Sequence, residues 1–387
     1  KAKINLLLLD IDSFSNINDS YGIEYGDLVF TKVEDILRNF GFESIDIYKL
    51  ESDEYALVSK TVFDTHNFTE MANEISSFFN ESEIELDEEY KLKISFSMGI
   101  ASGRGLGVLN QARLAIKDLR QYTRGTYKIY DMKSSYIKAM YENVYWVNKI
   151  QESIVEDRII AFFQPIINNK TKKIEKYESL ARIDDDGSFV SPYHFMDAAK
   201  STRLLSFITK SMIKQACKTF RGTEYEFSIN ITNDDLQLGY LEEYLVRNAA
   251  LYNINPNRIV LELLEDISSL DVGSTLKQLD SLREKGFKFA IDDFGSESSN
   301  FSRLLEFQPH YLKIDGAFIK NILKDEKSRI ITSGIVSIAH AIGIKVIAEY
   351  IHHQDVQDII EELNIDYSQG YIHGEPSRKI HELYSGL

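Results

Sequence analysis

The sequence has little cysteine, a shortage of basic residues and no long hydrophobic run, and each absence excludes a class of protein. The single cysteine, Cys217, cannot form an intramolecular disulfide or a thiolate metal cluster, which favours a reducing, cytoplasmic compartment. The 44 Lys and Arg residues face 60 Asp and Glu, so the net charge of -16 argues against nucleic acid or an anionic membrane surface as the main partner. No apolar run approaches the roughly 18 residues that would cross a bilayer, and no signal peptide is visible.

The 387 residues suffice for two domains, and the apolar pattern changes along the chain. Residues 1–131 alternate strand and helix patterns, with strands over 4–11 and 92–101 and a hairpin over 45–59, which predicts an α+β domain. Residues 134–158 contain no Gly or Pro, and their apolar residues recur every three or four positions. We therefore predict a connecting helix within 132–159, which either transmits movement or holds a spacing, and a second domain over 160–387.

Polar residues able to bind a metal or a phosphate follow the apolar runs of the second domain. The clearest case is Asp292-Asp293, directly after the strand-like run Phe289-Ala290-Ile291. Eight such runs, with helical patterns between most of them, predict a (β/α)₈ TIM-like barrel whose reactive residues gather at the carboxyl ends of the strands. The runs contain or precede Gln164, Glu178, Asn230, Glu262, Asp292, Lys313, Glu349 and Gln369.

Carboxylates gathered at one end of a barrel repel one another unless a cation lies among them. Hard oxygen ligands favour Mg²⁺ or Mn²⁺, and Asp292 could be shared between two ions. Lys313 would add a fixed positive charge for a water or a phosphate oxygen, and Asp315 lies on the same face of its strand. Taken singly, each acid is better interpreted as a solvated surface residue, and it is the ordered series that indicates a shared site. The predicted ligands are Glu178, Asn230, Glu262, Asp292 and Asp293.

The motifs of residues 160–387 resemble, in order and spacing, those of EAL-family cyclic di-GMP phosphodiesterases. The signature tripeptide is Glu178-Ser179-Leu180, and Arg182 follows it at the expected place. The other matching motifs are Gln164-Pro165-Ile166, Asn230, Glu262 with Glu265, Asp292-Asp293-Phe294-Gly295, Lys313-Ile314-Asp315, Ala348-Glu349 and Gln369-Gly370-Tyr371. The resemblance implies a barrel that hydrolyses cyclic di-GMP to linear pGpG with Mg²⁺ or Mn²⁺.

The same resemblance implies a role for each site residue. The five predicted ligands would hold metal, Lys313 would assist the nucleophilic water, and Glu349 would support the metal site. Asp293 and Asp315 complete the predicted catalytic group. The resemblance also implies substrate contacts from Gln164, Arg182 and Gln369, and support of the loop after Asp293 by Glu265.

Two motifs depart from the family pattern and raise an alternative function. Glu297 lies in the loop after the twin aspartates, Asp292 and Asp293, at a position where the family has glycine. If that position needs a positive φ, glutamate would cost about 1 kcal/mol of conformational energy. The family's Glu-Gly-Val-Glu is here Glu349-Tyr350-Ile351-His352, and histidine is not a fixed anion near neutral pH. The alternative is a cyclic di-GMP receptor that binds without turnover. A sugar hydrolase, the third candidate, is disfavoured by Lys313 and the paired aspartates.

In the first domain, Asp10 follows an apolar run and Asp53 lies at the tip of the predicted hairpin. They could approach one metal, or they could be exposed turn acids. Residues 1–131 resemble an N-terminally truncated GGDEF domain, the fold of diguanylate cyclases. The matching motifs are Asp10-Ile11-Asp12-Ser13-Phe14, Asn18-Asp19, Tyr21-Gly22, Gly26-Asp27 and Ser97-Met98-Gly99-Ile100.

The GGDEF signature itself is degenerate, because it appears as Glu51-Ser52-Asp53-Glu54-Tyr55. A Glu51 anion near a triphosphate would cost roughly 1 to 3 kcal/mol per charge pair at about 6 Å, so we predict an inactive cyclase domain. Two further family features are absent: Ser15 replaces a lysine, and Glu43 replaces the arginine of the product-inhibition motif. A structural or dimerising role and GTP binding as a regulatory input both stay open. The degenerate nucleotide site comprises Asp10, Asn18, Asp27 and Asp53.

The predicted partners follow from these resemblances and from the charge. Cyclic di-GMP is the expected ligand, nucleic acid is not expected, and a homodimer through the region after the twin aspartates is expected by resemblance. The chain begins at Lys1 without methionine, and we interpret it as an excised fragment. An upstream sensor or membrane anchor would then lie outside this sequence.

Overall fold

The computed structural model describes residues 3–50, 53–59, 65–87, 90–105, 107–264, 272–295 and 301–380. The chain divides into two compact units, residues 1–142 and 143–387, which are described separately. Among the helices in these ranges, none combines the length and the apolar composition that a membrane crossing requires.

The first unit is built on a five-stranded sheet in the order β2-β3-β1-β6-β7. Strand β1 pairs antiparallel with both β3 and β6, and β7 joins β6 in parallel. Its elements are β1 (Lys3–Ile11), α1 (Phe14–Tyr21), α2 (Ile23–Asn39), β2 (Asp46–Lys49), β3 (Glu54–Ser59), α3 (Thr65–Glu81), β4 (Ile84–Glu85), β5 (Lys91–Leu92), β6 (Phe96–Arg104), α4 (Gly107–Leu119) and β7 (Tyr127–Ile129).

The central strand β1 explains the apolar run at the start of the chain. Leu7 and Leu9 pack into one buried cluster, whereas Leu6 and Leu8 pack into another on the opposite face of the sheet. A strand covered on both faces needs continuous apolar residues rather than alternation. The α+β fold predicted for this region is confirmed. Helix α1 was not predicted, and the strand predicted over 92–101 is two separate strands, β5 and β6.

Helix α5 (Ser135–Val155) lies within the segment predicted as a connecting helix. The division between the two compact units falls inside this helix. The predicted domain boundaries after residues 131 and 159 stay predictions.

The second unit is an eight-stranded closed barrel, which confirms the predicted fold class. Its strands are β8 (Ile159–Asn168), β9 (Ile174–Asp185), β11 (Glu226–Asn230), β12 (Ile259–Leu264), β13 (Lys288–Phe294), β14 (Tyr311–Ile314), β15 (Lys345–Ala348) and β16 (Tyr367–Gln369), and β10 (Ser188–Val190) extends β9 as a hairpin. The helices are α6 (Pro192–Ser201), α7 (Leu205–Thr219), α8 (Asn233–Gln237), α9 (Leu241–Tyr252), α10 (Val272–Glu284), α11 (Phe301–Phe307), α12 (Gly316–Asn321), α13 (Glu326–Ala341) and α14 (Gln354–Glu362).

The barrel differs from the expected arrangement in the direction of its first strand. Strand β8 closes the barrel by pairing antiparallel with both β9 and β16, whereas the pairs from β9 to β16 are parallel. We had expected Gln164 at the carboxyl end of its strand, and this prediction was wrong. Gln164 lies in the middle of β8, directly opposite Glu178 of β9.

Candidate active site

Parallel strands bring the predicted acids together at one end of the barrel. Asn230 is the last residue of β11, Asp292 lies near the end of β13, and Glu349 follows the last residue of β15. Parallel pairing places Asn230 beside Glu262 of β12. The carboxyl ends of neighbouring parallel strands share one rim, so residues far apart in sequence face a common space.

Lys313 lies at the centre of this group, with its side chain only 1% exposed. Its Nζ is 2.8 Å from Oε1 of Glu349, 2.9 Å from Oε2 of Glu262 and 3.1 Å from Oδ1 of Asp292. The fourth carboxylate, that of Glu178, is 3.5 Å away. One ammonium cannot neutralise four carboxylates, so the site has a surplus of negative charge.

This surplus changes the protonation of the site. Burial alone would lower the pKa of Lys313, but the surrounding carboxylates outweigh it and raise the pKa well above its usual value. Burial, together with Asp292 and Glu178, raises the pKa of Glu349 to about 8 despite the nearby lysine. Burial, with the same two neighbours, also raises the pKa of Glu262. A proton or a second cation is therefore favoured among these carboxylates.

Glu178 is the acid best supplied with hydrogen bonds. Its Oε1 accepts a hydrogen bond from Asn230 Nδ2 at 3.1 Å, and its Oε2 accepts one from Gln369 Nε2 at 2.6 Å. Gln369 Nε2 also donates to Gln164 Oε1 at 3.1 Å. Burial alone would raise the pKa of Glu178. Lys313 and these amide donors together outweigh burial, so the pKa of Glu178 is lowered. Glu178 is thus held as a carboxylate in a defined orientation.

Asp293 lies at the more open side of the cluster. Its backbone has a φ of 53°, in the left-handed region, and its N–H donates to Oδ1 of Asp292 at 3.0 Å. Burial raises its pKa to about 6, and Asp292 and Asp315 add to this shift. Asp315 itself caps helix α12 by accepting a hydrogen bond from the N–H of Ala317 at 2.6 Å.

Two groups of carboxylates could each hold a metal ion. Glu178, Glu262 and Asp292 form one group, and Asp292, Asp293 and Glu349 form the other, with ligand oxygens within 4.8 Å of one another in each. Asp292 belongs to both. All the donors are hard carboxylate oxygens, which suit Mg²⁺ or Mn²⁺. The residues therefore fit a pair of divalent ions that share one aspartate.

A pocket of about 400 Å³ opens above this cluster. The predicted site residues in its wall are Gln164, Glu178, Arg182, Asp292, Asp293, Glu349 and Gln369. Lys313 and Glu262 do not line the pocket and are almost fully buried. The Arg182 guanidinium lies 5.5 Å from the centre of the Phe162 ring. Arg182 is close enough to Glu178 to interact with its charge, although burial lowers the pKa of Arg182 overall.

The pocket wall also contains residues that the sequence did not single out as site residues. These are Leu180, Tyr350, His352, Gly370, Tyr371 and Pro376. His352, identified in the sequence only as a departure, packs edge-to-face against Tyr371 with ring centres 5.2 Å apart. Tyr371 is part of the matching motif Gln369-Gly370-Tyr371, and this membership was the signal that could have identified it. Glu265 and Glu297 lie outside the described residues.

In the first unit, the predicted metal ligand Asp10 forms an ion pair with an arginine, Arg120. Arg120 Nη2 contacts Oδ1 of both Asp10 and Asp12, at 2.5 and 3.0 Å. Arg113 binds both carboxylate oxygens of Glu54. Burial raises the pKa of Asp10 even though Arg120 opposes this shift.

The remaining predicted nucleotide-site residues are placed as follows. Asp53 lies in the turn before β3, at the tip of the hairpin, and Asp27 lies in helix α2. Asn18 packs against Gly26, where a Cβ would lie 2.0 Å from its Oδ1. That buried Oδ1 has no hydrogen-bond partner among the described residues. Glu51 and Ser52 of the degenerate signature lie outside those residues.

Comparison with known families matches both halves of the chain. The model of the EAL domain family matches residues 147–376, and that of the diguanylate cyclase GGDEF domain matches residues 1–123. The chain is 27% identical over 382 residues to the cyclic di-GMP phosphodiesterase PdeB of Shewanella oneidensis, covering 95% of this chain and 44% of PdeB. It is 25% identical over 388 residues to the bifunctional diguanylate cyclase/cyclic di-GMP phosphodiesterase MucR of Pseudomonas aeruginosa, covering 96% of this chain and 55% of MucR.

These curated relatives are longer, and the chain spans about half of their length. Among solved structures, the EAL enzyme Bd1971 in its cAMP- and cyclic-di-GMP-bound form matches with a TM-score of 0.59 and 27% identity. The match covers 68% of this chain and 70% of that one.

Proposed function

The chain belongs to the EAL domain family, and we propose that its barrel hydrolyses cyclic di-GMP to linear pGpG. A GGDEF domain with a degenerate signature precedes the barrel. The observation that carries the proposal is the surplus of buried carboxylates around Lys313 at the floor of an open pocket. The relatives PdeB and MucR, both named as cyclic di-GMP phosphodiesterases, support the choice of substrate.

We assign two divalent ions, Mg²⁺ or Mn²⁺, to the two carboxylate groups that share Asp292. Asn230, which orients Glu178, supplies an additional amide oxygen. Bound divalent ions would polarise the phosphodiester, lower the pKa of a water and stabilise the attacking and leaving oxygens. Because the carboxylates repel one another without added positive charge, ion binding would also relieve an existing electrostatic strain.

The side chains around the ions would position and protonate the reacting groups. Lys313 keeps its proton, because four carboxylates raise its pKa, and it therefore acts as a fixed cation near the water or a phosphate oxygen. Asp293 is assigned both to the second ion and to the catalytic group, where its carboxylate would orient the water; without metal, burial raises its pKa to about 6. Glu349 and Asp315 support this arrangement by their charge. Gln164, Arg182 and Gln369 are assigned to the substrate, and Arg182 is suited to a phosphate or a guanine edge.

The first domain is proposed to be an inactive cyclase domain with a structural role. Its acids Asp10, Asp12 and Glu54 are already paired with arginines, and this pairing favours the structural role. The buried amide oxygen of Asn18, which has no hydrogen-bond partner in the described part of the chain, favours a second role, GTP binding as a regulatory input. Binding of GTP with saturating Mg²⁺, and any change in hydrolysis, would decide between the two. A homodimer, an upstream sensor and a cytoplasmic location stay predictions.

The test is incubation of the purified chain with cyclic di-GMP and Mg²⁺ or Mn²⁺, with substrate and pGpG resolved by chromatography. Glu178→Ala serves as the control, and we expect product from the wild-type chain and none from this variant. Absence of pGpG after prolonged incubation with excess Mn²⁺ overturns the proposal. Retention of cyclic di-GMP without product would instead support a receptor, the alternative that the departure at His352 favours.

A further inference from the structure

Tyr350 occupies an unusual backbone position at the mouth of the pocket. It follows Glu349 directly and has a φ of 57°, in the left-handed region. Bulky residues rarely adopt this conformation, and strained positions of this kind cluster at functional sites. The position corresponds to a glycine in the family pattern given above. A glycine would adopt this φ without strain, so the tyrosine side chain is not required to form the turn.

The turn that carries Tyr350 is fixed by the neighbouring loop. The N–H of Ile351 donates to the carbonyl of Gln369 at 3.1 Å, and the N–H of Ile372 donates to the carbonyl of Ile351 at 3.2 Å. A Cβ at Gly370 would lie 2.1 Å from the carbonyl oxygen of Ile351, so the two backbones are in close contact. The Ile351 side chain is fully buried. The direction of the Tyr350 side chain is consequently set by the fold.

The ring of Tyr350 rests against helix α12. A Cβ at Gly316 would lie 2.0 Å from Cδ2 of the ring, so the ring packs directly on the helix backbone. Lys320 lies four residues later on the same face of the helix, and its Nζ is 3.8 Å from the ring centre. Although it is held in this way, Tyr350 remains 48% exposed. A rigid ring is thus presented to the pocket.

Two further rings continue this surface along the pocket wall. His352 lies 6.2 Å from Tyr350 and 5.2 Å from Tyr371, measured between ring centres, and Tyr371 is 55% exposed. The pocket therefore has a carboxylate floor suited to cations and phosphates, and an aromatic rim. Flat rings at such a rim suit the π-face of a nucleobase.

We propose that Tyr350 is a specificity-determining residue whose ring stacks on a purine base of the substrate. This inference rests on the proposed hydrolysis of cyclic di-GMP and adds a base-binding surface to it. Stacking would stabilise the bound substrate and the transition state equally, because the base lies away from the reacting phosphate. Loss of the ring would then raise KM and leave kcat almost unchanged.

The first test compares Tyr350→Leu with Tyr350→Phe in cyclic di-GMP hydrolysis by the full chain. We expect about a tenfold rise in KM for Tyr350→Leu, the equivalent of about 1.4 kcal/mol of stacking, and a near-normal KM for Tyr350→Phe. Tyr193, 88% exposed and outside the pocket, provides the matched control Tyr193→Leu. A fall in kcat in both Tyr350 variants would assign the hydroxyl to catalysis instead and overturn the proposal.

A second readout does not require turnover. Trp146 is the only tryptophan of the chain, so Trp146→Phe provides a background without tryptophan fluorescence. Adding Tyr350→Trp to it places one indole on the rim, and we expect cyclic di-GMP to quench its fluorescence, whereas inorganic phosphate should not.

The two proposals fail in different ways. Wild-type hydrolysis with an unchanged KM in Tyr350→Leu would overturn only the stacking role. If the wild-type chain does not hydrolyse cyclic di-GMP but binds it, a weaker affinity in Tyr350→Leu would still support stacking, whereas an equal affinity would overturn it. Absence of both binding and hydrolysis would overturn both proposals.

Discussion

The acid clusters of the two units differ in how their charge is neutralised. In the barrel, Lys313 alone contacts four carboxylates, and its side chain is almost inaccessible to solvent. In the first unit, two arginines contact three carboxylates, those of Asp10, Asp12 and Glu54. Acids at strand ends therefore do not by themselves make a metal site. A surplus of buried negative charge favours one, because a further cation there lowers the electrostatic free energy substantially.

The largest expected effect comes from removing one carboxylate in each unit. Asp292→Asn removes a ligand shared by both carboxylate groups, so we expect hydrolysis of cyclic di-GMP to fall about 10³-fold, the equivalent of several kcal/mol of lost charge stabilisation. Asp10→Asn should leave the rate within about twofold. The rate of pGpG formation measures both. Comparable losses in the two variants would contradict the contrast between the units.

The next effect concerns stability without metal. Lys313→Met leaves four buried carboxylates without their cation, and we expect the barrel to lose about 3 to 5 kcal/mol of unfolding free energy. Arg120→Met affects a more exposed pair and should cost about 1 kcal/mol. Urea unfolding followed by Trp146 fluorescence reports the barrel, because Trp146 packs on its core, and circular dichroism reports both units. Added Mn²⁺ should restore part of the stability of Lys313→Met, and an equal cost in both variants would count against the comparison.

Divalent ions should stabilise the barrel and not the first unit. At about 100 times its Kd, Mn²⁺ should raise the unfolding free energy of the barrel by about 2.7 kcal/mol. Glu262→Gln is the control, because it removes one ligand from the first carboxylate group while keeping a similar volume. Thermal unfolding with Mn²⁺ or with a chelator measures the difference. Stabilisation that persists in Glu262→Gln would place the ion elsewhere.

The smallest effect is the pH dependence of metal affinity. Burial and neighbouring acids raise the pKa of Asp293 to about 6 and that of Glu349 to about 8. Metal binding must displace these protons. Affinity should therefore rise with pH between about 6 and 8, by up to about tenfold per proton per pH unit. Calorimetry in buffers of different ionisation enthalpy counts the protons released. A constant affinity across this range would show that neither group binds the ion.

Much of the fold was predictable from local patterns. The apolar runs of β11 to β15 and the polar residues that end them predicted the barrel, because each parallel strand is buried on both sides and must stop where charge begins. Helix α1 was missed, since Phe14–Tyr21 spans only eight residues and Phe14 is the one buried among them, so its apolar pattern is too short to stand out.

The direction of β8 could not be predicted from its own residues, because an apolar strand pairs in either direction and its neighbours decide which. The Arg113–Glu54 pair was also invisible, since it joins residues 59 positions apart. Tyr350 was seen only as a departure, because nothing in a tyrosine indicates a positive φ.

The sequence by itself determined the chemistry of this protein. It showed which strands carry carboxylates, that a lysine, Lys313, lies on one of these strands, and that the GGDEF signature has lost its glycines. Only the tertiary structure decided which charges meet. Barrel closure placed four carboxylates around Lys313, and the packing of α4 against its sheet placed Arg120 on Asp10. The physical reason is that electrostatic energy depends on distance and burial, which long-range packing alone sets.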